Sequence, residues 1–251
     1  MTPATPLASI IIPTYNRPER LAQALRSLQV QRDSHWEAWV VDDGDGRGAS
    51  LARAYGDARI HALVNAGSQQ VDARNTAISH ASGEIIAWLD DDDWWAHPDH
   101  LGRLKQALSK ATLAHVHGWI VYEAANGKQT KHLFDLPATP ESLHQDNTLL
   151  TSSIAYPSVF HKELGLLDRN MNGYFDWDWI LRVMDAGYSL TTINMLSVCY
   201  LMHGGNGSAD VLGPRRVRDF TAFKTKHHLD IEIKSHELVL NESPERFDSV
   251  A

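Results

Sequence analysis

Residues 84–98 read EIIAWLDDDDWWAHP, with four consecutive aspartates straight after an apolar run. Neighbouring carboxylates repel, and one taken out of water is costly unless it is paired, hydrogen-bonded or bound to a cation. Taken alone, an acidic run reads as a solvated turn. The residues around this one point to a cation instead.

Upstream, LASIIIP (7–13) is an isoleucine-rich run closed by proline and reads as a buried strand. NRPERLAQALRSLQ (16–29) predicts a helix: Pro18 suits the first turn, Asn16 or Arg17 the cap, and Leu21, Ala24, Leu25 and Leu28 share one face. WEAWVVDDG (36–44) is a second strand, ending in two aspartates and a glycine turn. A helix near 50–55, a strand at 59–64, a helix at 69–80 and the strand EIIAWL (84–89) continue the alternation. Such alternation implies βαβ units and a mostly parallel, Rossmann-like α/β sheet flanked by helices, with its ligand site at the carboxyl ends of the strands. Three of those ends carry PTYN, DDG and DDDD. Together they suggest a site for a ribose or base and for a divalent metal that neutralises a diphosphate.

The second half is less regular. Residues 114–134 look like two strands about an Asn126-Gly127 turn, and 153–165 like a strand and a short helix. In 173–190, Trp177, Ile180, Leu181 and Met184 form a helical apolar stripe that Gly187 stops. Asp176 and Asp178 then lie at or just before that helix's N-terminus, where the dipole favours their ionised form. The strand LSVCYLM (196–202) leads into a glycine-rich loop, HGGNGSAD (203–210), opened by His203; a basic amphipathic helix and a polar tail follow.

The 251 residues are 43% hydrophobic and 22% charged, an ordinary globular composition, and the net charge of -8 argues against broad nucleic-acid binding. The single cysteine, Cys199, rules out an intramolecular disulfide framework and fits a reducing compartment. The N-terminal stretch has no basic segment and its apolar run stops at Pro13. Neither a signal peptide nor a membrane span is expected there, and a cytoplasmic location is.

The order SIIIPTYNR, VVDDG, ARNTAI, SGEIIAWLDDDDWW and, further on, FDWDWILRV resembles the family 2 glycosyltransferases of the GT-A fold. The resemblance runs from Ser9 to His203. It implies a GT-A domain over 1–212, with a nucleotide-sugar half at 1–105 and a smaller mixed acceptor half at 106–212, followed by a helical tail at 213–251. It also implies inverting transfer of a sugar from a nucleotide-diphosphate donor to a hydroxyl of a glycan or lipid-linked acceptor, in surface polysaccharide or glycan assembly.

By the same resemblance, Tyr15 would stack on the donor's base above backbone shaped by Pro13 and Thr14, and Asp43 would accept a hydrogen bond from that base. Arg74 would partner a phosphate or a carboxylate. Asp92 would be the principal ligand of Mn²⁺ or Mg²⁺, with Asp90 and Asp91 holding ribose or metal-bound water and Asp93 behind them or capping the next turn. His203 would add an imidazole, which leans the choice toward Mn²⁺. Relatives commonly carry Glu-Asp-Trp where this chain has Phe175-Asp176-Trp177, so Asp176 is the expected base and Asp178 its rival. Trp94, Trp95, Trp177 and Trp179 lie near these carboxylates, where an indole can stack on a sugar, although helical spacing places Trp177 in the core.

Other readings fit less well. A nucleotidyltransferase would open with a glycine-rich, lysine-containing loop, and IIPTYNRPE has no glycine. A DDDD-led phosphatase would need an aspartate after the first strand. A non-catalytic nucleotide-sugar-binding subunit stays as the alternative, resting on the missing glutamate. Arg215, Arg216, Arg218, Lys224 and Lys226 in the last helix suggest acceptor binding or peripheral attachment to the inner face of the membrane.

Overall fold

The computed structural model describes residues 8–65, 69–124, 126–203, 213–234 and 238–239. The first half alternates as the sequence predicts: β1 (Ala8–Thr14), α1 (Pro18–Gln29), β2 (Trp36–Asp42), α2 (Arg47–Ala54), β3 (Ile60–Val64), α3 (Gln70–His80) and β4 (Ile85–Trp88). β1 pairs in parallel with β2 and β4, and β2 with β3, so these strands end along one edge. β1 is buried at every position because both its faces are covered. Ile10 and Ile12 pack in one core with Leu21 and Leu25 of α1, while Ile11 packs in another with Val71 and Ala77 of α3.

The chain continues through β5 (Trp94–Trp95), α4 (His100–Ala107), β6 (Thr112–Glu123), β7 (Gln129–Phe134), α5 (Pro140–Leu143), a 3-10 turn (Thr151–Ser153), β8 (Ile154–Pro157), α6 (Phe160–Leu164), α7 (Phe175–Asp185), β9 (Ser189–Met202) and α8 (Pro214–Lys226). The strands form one sheet in the order β3-β2-β1-β4-β8-β6-β9-β5, with β7 added on β6. β8 runs antiparallel to β4 and β6, β9 parallel to β6, and β5 antiparallel to β9. A parallel half thus passes into a mixed one.

On α7, Trp177, Ile180, Leu181 and Met184 are buried as their spacing predicts, and Gly187 adopts φ 85 just after the helix, the left-handed conformation that ends it. Two boundaries differ most from the sequence reading. α2 starts at Arg47 rather than near 50, because the Asp42 carboxylate accepts from the backbone N–H groups of Gly44 (2.8 Å) and Ala49 (3.0 Å) and so organises the turn before it. β9 starts at Ser189 rather than 196, since β6 pairs along nearly its whole length. The two-residue β5 is absent from the sequence reading altogether. The glycine-rich loop at 204–210 and the polar tail beyond 239 lie outside the described residues. α8 lays Phe220 and Phe223 against Tyr174, and Phe223 against Trp177. Among the described residues no helix is long and apolar enough to cross a membrane.

Candidate active site

The edge where β1, β2 and β4 end gathers most of the residues that the motifs single out. Thr14 closes β1, and its Oγ1 donates to Asp91 Oδ2 (2.6 Å), an oxygen that the Tyr15 N–H reaches at 3.4 Å. Asn16 follows at φ 55, a left-handed conformation asparagine tolerates, and the chain turns so that Arg17 meets the aspartates. Arg17 Nη2 pairs with Asp91 Oδ1 at 2.7 Å, while Nη1 donates to Asp92 Oδ2 and lies 3.4 Å from His203 Nε2. His203 Nε2 in turn lies 3.0 Å from the same Asp92 oxygen. Arg74, buried on α3, pairs with Asp90, and its guanidinium sits 4.2 Å from the centre of the Phe175 ring. Asp93 is fully buried and accepts from Ser152 Oγ (2.5 Å) and from the Leu201 N–H (3.0 Å), which ties the end of β4 to the 3-10 turn and to β9.

The row of aspartates is therefore divided among distinct tasks, and the charges follow. Burial, and then Asp92 and Asp90, push the Asp93 carboxyl well above the usual range. Burial also raises Asp90 against the pull of Arg74, and pushes Asp91 up to about 7 in spite of Arg17. For Asp92 burial acts upward too, yet the hydrogen bond from His203 and the charge of Arg17 hold it below the ordinary carboxylate value. Carboxylate oxygens of Asp90, Asp92 and Asp93 lie within 4.8 Å of one another. Both Asp93 oxygens are engaged by Ser152 and Leu201, and Asp90 is paired with Arg74, so Asp92 and His203, which meet each other and Arg17, are the groups that would hold an ion, with Asp90 beside them. Hard oxygens with one imidazole fit Mg²⁺ or Mn²⁺.

Asp176 is the second residue of α7. Its Oδ2 accepts from Thr151 Oγ1 (2.8 Å) and Asn147 Nδ2 (3.2 Å), and its Oδ1 from the Trp177 N–H (2.8 Å). Thr151 and Ser152 are neighbours in the 3-10 turn, and Ser152 Oγ also accepts from the Asp90 N–H at 3.0 Å. One short turn thus holds Asp176 with one hydroxyl and the aspartate row with the next. Asp178 is 0% exposed, with Lys226 Nζ (2.7 Å) and His227 Nε2 (2.8 Å) against it from α8 and its end, and Arg182 Nη1 (3.7 Å) one turn along α7.

At the end of β2 the two aspartates separate in the same way: Asp42 is consumed by the turn described above, and the partly buried Asp43 accepts from Asn65 Nδ2 (2.9 Å). Tyr15 is 59% exposed at the end of β1. Among the tryptophans, Trp95, Trp177 and Trp179 are core; Trp95 stacks on His100 with ring centres 4.0 Å apart and donates to the Ser152 carbonyl. Trp94 is half-buried and stands in one cross-strand row with Cys199 and the half-buried Trp119. Phe175 is buried against Trp88 and Arg74. Arg17, Thr151, Ser152 and Asn147 were not singled out from the sequence. Arg17 did carry a signal, a cation directly after a strand-end loop in a chain with an acidic strand end nearby; the TSS turn carried none.

Residues 9–164 match the family described as Glycosyl transferase family 2. The chain is 31% identical over 245 residues to the uncharacterized glycosyltransferase YwdF of Bacillus subtilis (strain 168), covering 94% of this chain and 90% of that protein. It is 29% identical over 237 residues to WcaA of Escherichia coli (strain K12), a glycosyl transferase named for colanic acid biosynthesis, covering 88% and 81%. Among solved structures, the mannosyltransferase PcManGT from Pyrobaculum calidifontis, in complex with GDP-Man and Mn²⁺, superposes with a TM-score of 0.67 at 18% identity over 92% of this chain and 67% of that one. S. aureus TarS 1-349 superposes with a TM-score of 0.59 at 18% identity over 77% of this chain, which spans 60% of that structure's length. The sheet is that of the GT-A fold. The chain belongs to glycosyltransferase family 2.

Proposed function

We propose that the chain is a metal-dependent, inverting glycosyltransferase that moves a sugar from a nucleotide-diphosphate donor to a hydroxyl of a glycan or lipid-linked acceptor in polysaccharide or related glycan assembly. The observation that carries the reading is the turn Thr151–Ser153, which holds Asp176 through one hydroxyl and the cation-binding aspartates through the next. The PcManGT complex with GDP-Man and Mn²⁺ supports the donor class, and the name of WcaA the pathway class.

In this reading residues 1–105 handle the donor. Tyr15 stacks on the base over Pro13 and Thr14, Asp43 accepts from the base, and Asp90 and Asp91 hold ribose or water, Asp90 being oriented by Arg74. Asp92 and His203 would hold Mn²⁺ or Mg²⁺, whose chemistry is to neutralise the diphosphate as it leaves. Residues 106–212 present the acceptor. Asp176 takes the proton from the acceptor hydroxyl as that oxygen attacks the anomeric carbon from the face opposite the diphosphate. Thr151 and Asn147 fix its orientation. Asp178 is fully buried beside Lys226 and Arg182, which favours Asp176 over its rival as the base. Phe175 fills an apolar place, so this chain works without a second carboxylate there.

A lipid-linked acceptor would bring the protein to the inner membrane face. Contact through α8 would rest on Lys224 and on Arg215 and Arg218, which both approach Asp219, because Arg216 turns to Tyr174 and Lys226 to Asp168 and Asp178. The reading is tested by incubating the protein with a panel of nucleotide sugars and Mn²⁺ and measuring release of the nucleoside diphosphate. Release that disappears in Asp92→Ala supports it. Binding of a nucleotide sugar with no release, alone or with acceptors, turns the assignment to the non-catalytic subunit.

A further inference from the structure

Arg17 reaches the same atoms that a divalent ion would need. Its Nη1 bonds Asp92 Oδ2 and lies 3.4 Å from His203 Nε2, while its Nη2 holds Asp91 Oδ1 at 2.7 Å. A guanidinium and a metal ion cannot both sit against one carboxylate oxygen and one imidazole nitrogen. Arg17 is also free to leave. It precedes the first residue of α1 with a non-helical backbone (φ -130), makes no side-chain cap, and its side chain is 32% exposed. Swinging it outward breaks no helical hydrogen bond of its own side chain and uncovers no core. Its charge is secure, since Asp91, Asp92 and Asp90 hold the guanidinium protonated although burial works against it.

We propose that Arg17 is a tethered counter-cation. It neutralises Asp91 and Asp92 before an ion binds, then yields Asp92 and His203 to the ion when the donor's diphosphate offers it a new anion. The inference rests on Asp92 being a metal ligand, and it gives a physical reason for ion and nucleotide to bind together. The ion alone must displace Arg17 into water; ion and diphosphate together give it a replacement partner. Coupling between two such sites commonly amounts to about a 5- to 150-fold change in affinity.

The experiment is titration calorimetry of MnCl₂ into the wild type, Arg17→Met, Arg17→Lys and Asp92→Asn, each with and without UDP or GDP, beside melting curves of the metal-free proteins. Arg17→Met is expected to bind Mn²⁺ without nucleotide at least about fivefold more tightly than the wild type and to lose most of the gain that nucleotide brings. Its metal-free melting temperature is expected to fall and to recover on adding Mn²⁺. Arg17→Lys, which keeps the charge but not the fork, falls between, and serves if the methionine variant does not fold. Unchanged or weaker Mn²⁺ binding in the Arg17 variants, with binding still abolished in Asp92→Asn, overturns the role of Arg17 and leaves the metal site standing. Mn²⁺ binding that is absent throughout, or indifferent to Asp92→Asn, overturns both.

Discussion

Thr151 Oγ1 donates to Asp176 Oδ2 at 2.8 Å, a bond between residues 25 positions apart. It is one of two side-chain donors on that oxygen, so it fixes which way the carboxylate faces. Replacing Thr151 by valine keeps the shape and removes the donor. A hydrogen bond to a charged group contributes about 1.5–3 kcal/mol, so turnover is expected to fall about tenfold or more while the KM for the donor stays level. Steady-state kinetics with donor and acceptor varied in turn decide it; an unchanged kcat would mean that Asp176 is held in place without this bond.

Asp176 and Asp178 separate by different readouts. Asp176→Asn is expected to lower turnover by about a hundredfold or more, with Mn²⁺ and nucleotide affinity retained. Asp178→Asn breaks a buried charge cluster and is expected to cost stability, about 3 kcal/mol in denaturant unfolding, with far less effect on turnover. A slow Asp178→Asn beside a normal Asp176→Asn would shift the base by two residues.

Tyr15→Ala probes the donor. A base stacked on an aromatic ring is worth about 1–3 kcal/mol, so nucleotide affinity is expected to drop about tenfold. The ring is 59% exposed, and stability should change by no more than about 0.5 kcal/mol. Loss of melting temperature with unchanged nucleotide binding would mark the tyrosine as structural.

Stability is expected to fall in acid, with buried histidines contributing to the slope. Burial lowers His100 from 6.5 to about 3 and, with help from the neighbouring His117, His115 from 6.5 to about 4. Both are neutral in the folded protein over a range where the unfolded chain takes up protons. Their contribution is therefore complete above pH 6.5 and is lost as the pH falls toward those folded values, by up to about 1.4 kcal/mol per pH unit for each. His115→Gln can keep a bond to Thr192 Oγ1 and should flatten the slope between pH 6.5 and 4 in urea unfolding. An identical slope would assign the acid limb to carboxylates.

Periodic, locally organised segments were legible in the sequence. Leu21, Ala24, Leu25 and Leu28 bury as their spacing requires, and the strand ends PTYN, DDG and DDDD meet because parallel βαβ units leave little choice. What stayed hidden depends on partners far along the chain. β5 exists because Trp94 and Trp95 find Cys199 and Val198, and two residues carry no period of their own. The burial of Asp93 needs Ser152 and Leu201, and the pairing of Arg17 needs residues some 75 positions away. Asp176 and Asp178 both sit in the first turn of α7 but point to different faces, and it is the arrival of α8, with Lys226, that makes Asp178 an interior charge.

That arrival has a mechanical side. Lys226 grips Asp168 and Asp178 at 2.7 Å each, while Phe223 lies on Trp177, one residue from Asp176. Removing α8 would strip the shelter from Trp177 and open Asp178 to water, with Arg182 at 3.7 Å as its remaining cation. The loosened root of α7 would then carry Asp176 out of register with its threonine. Loss of α8 is therefore expected to slow sugar transfer although no proposed site residue lies on it, which makes this helix the keystone of the corner that holds Asp176.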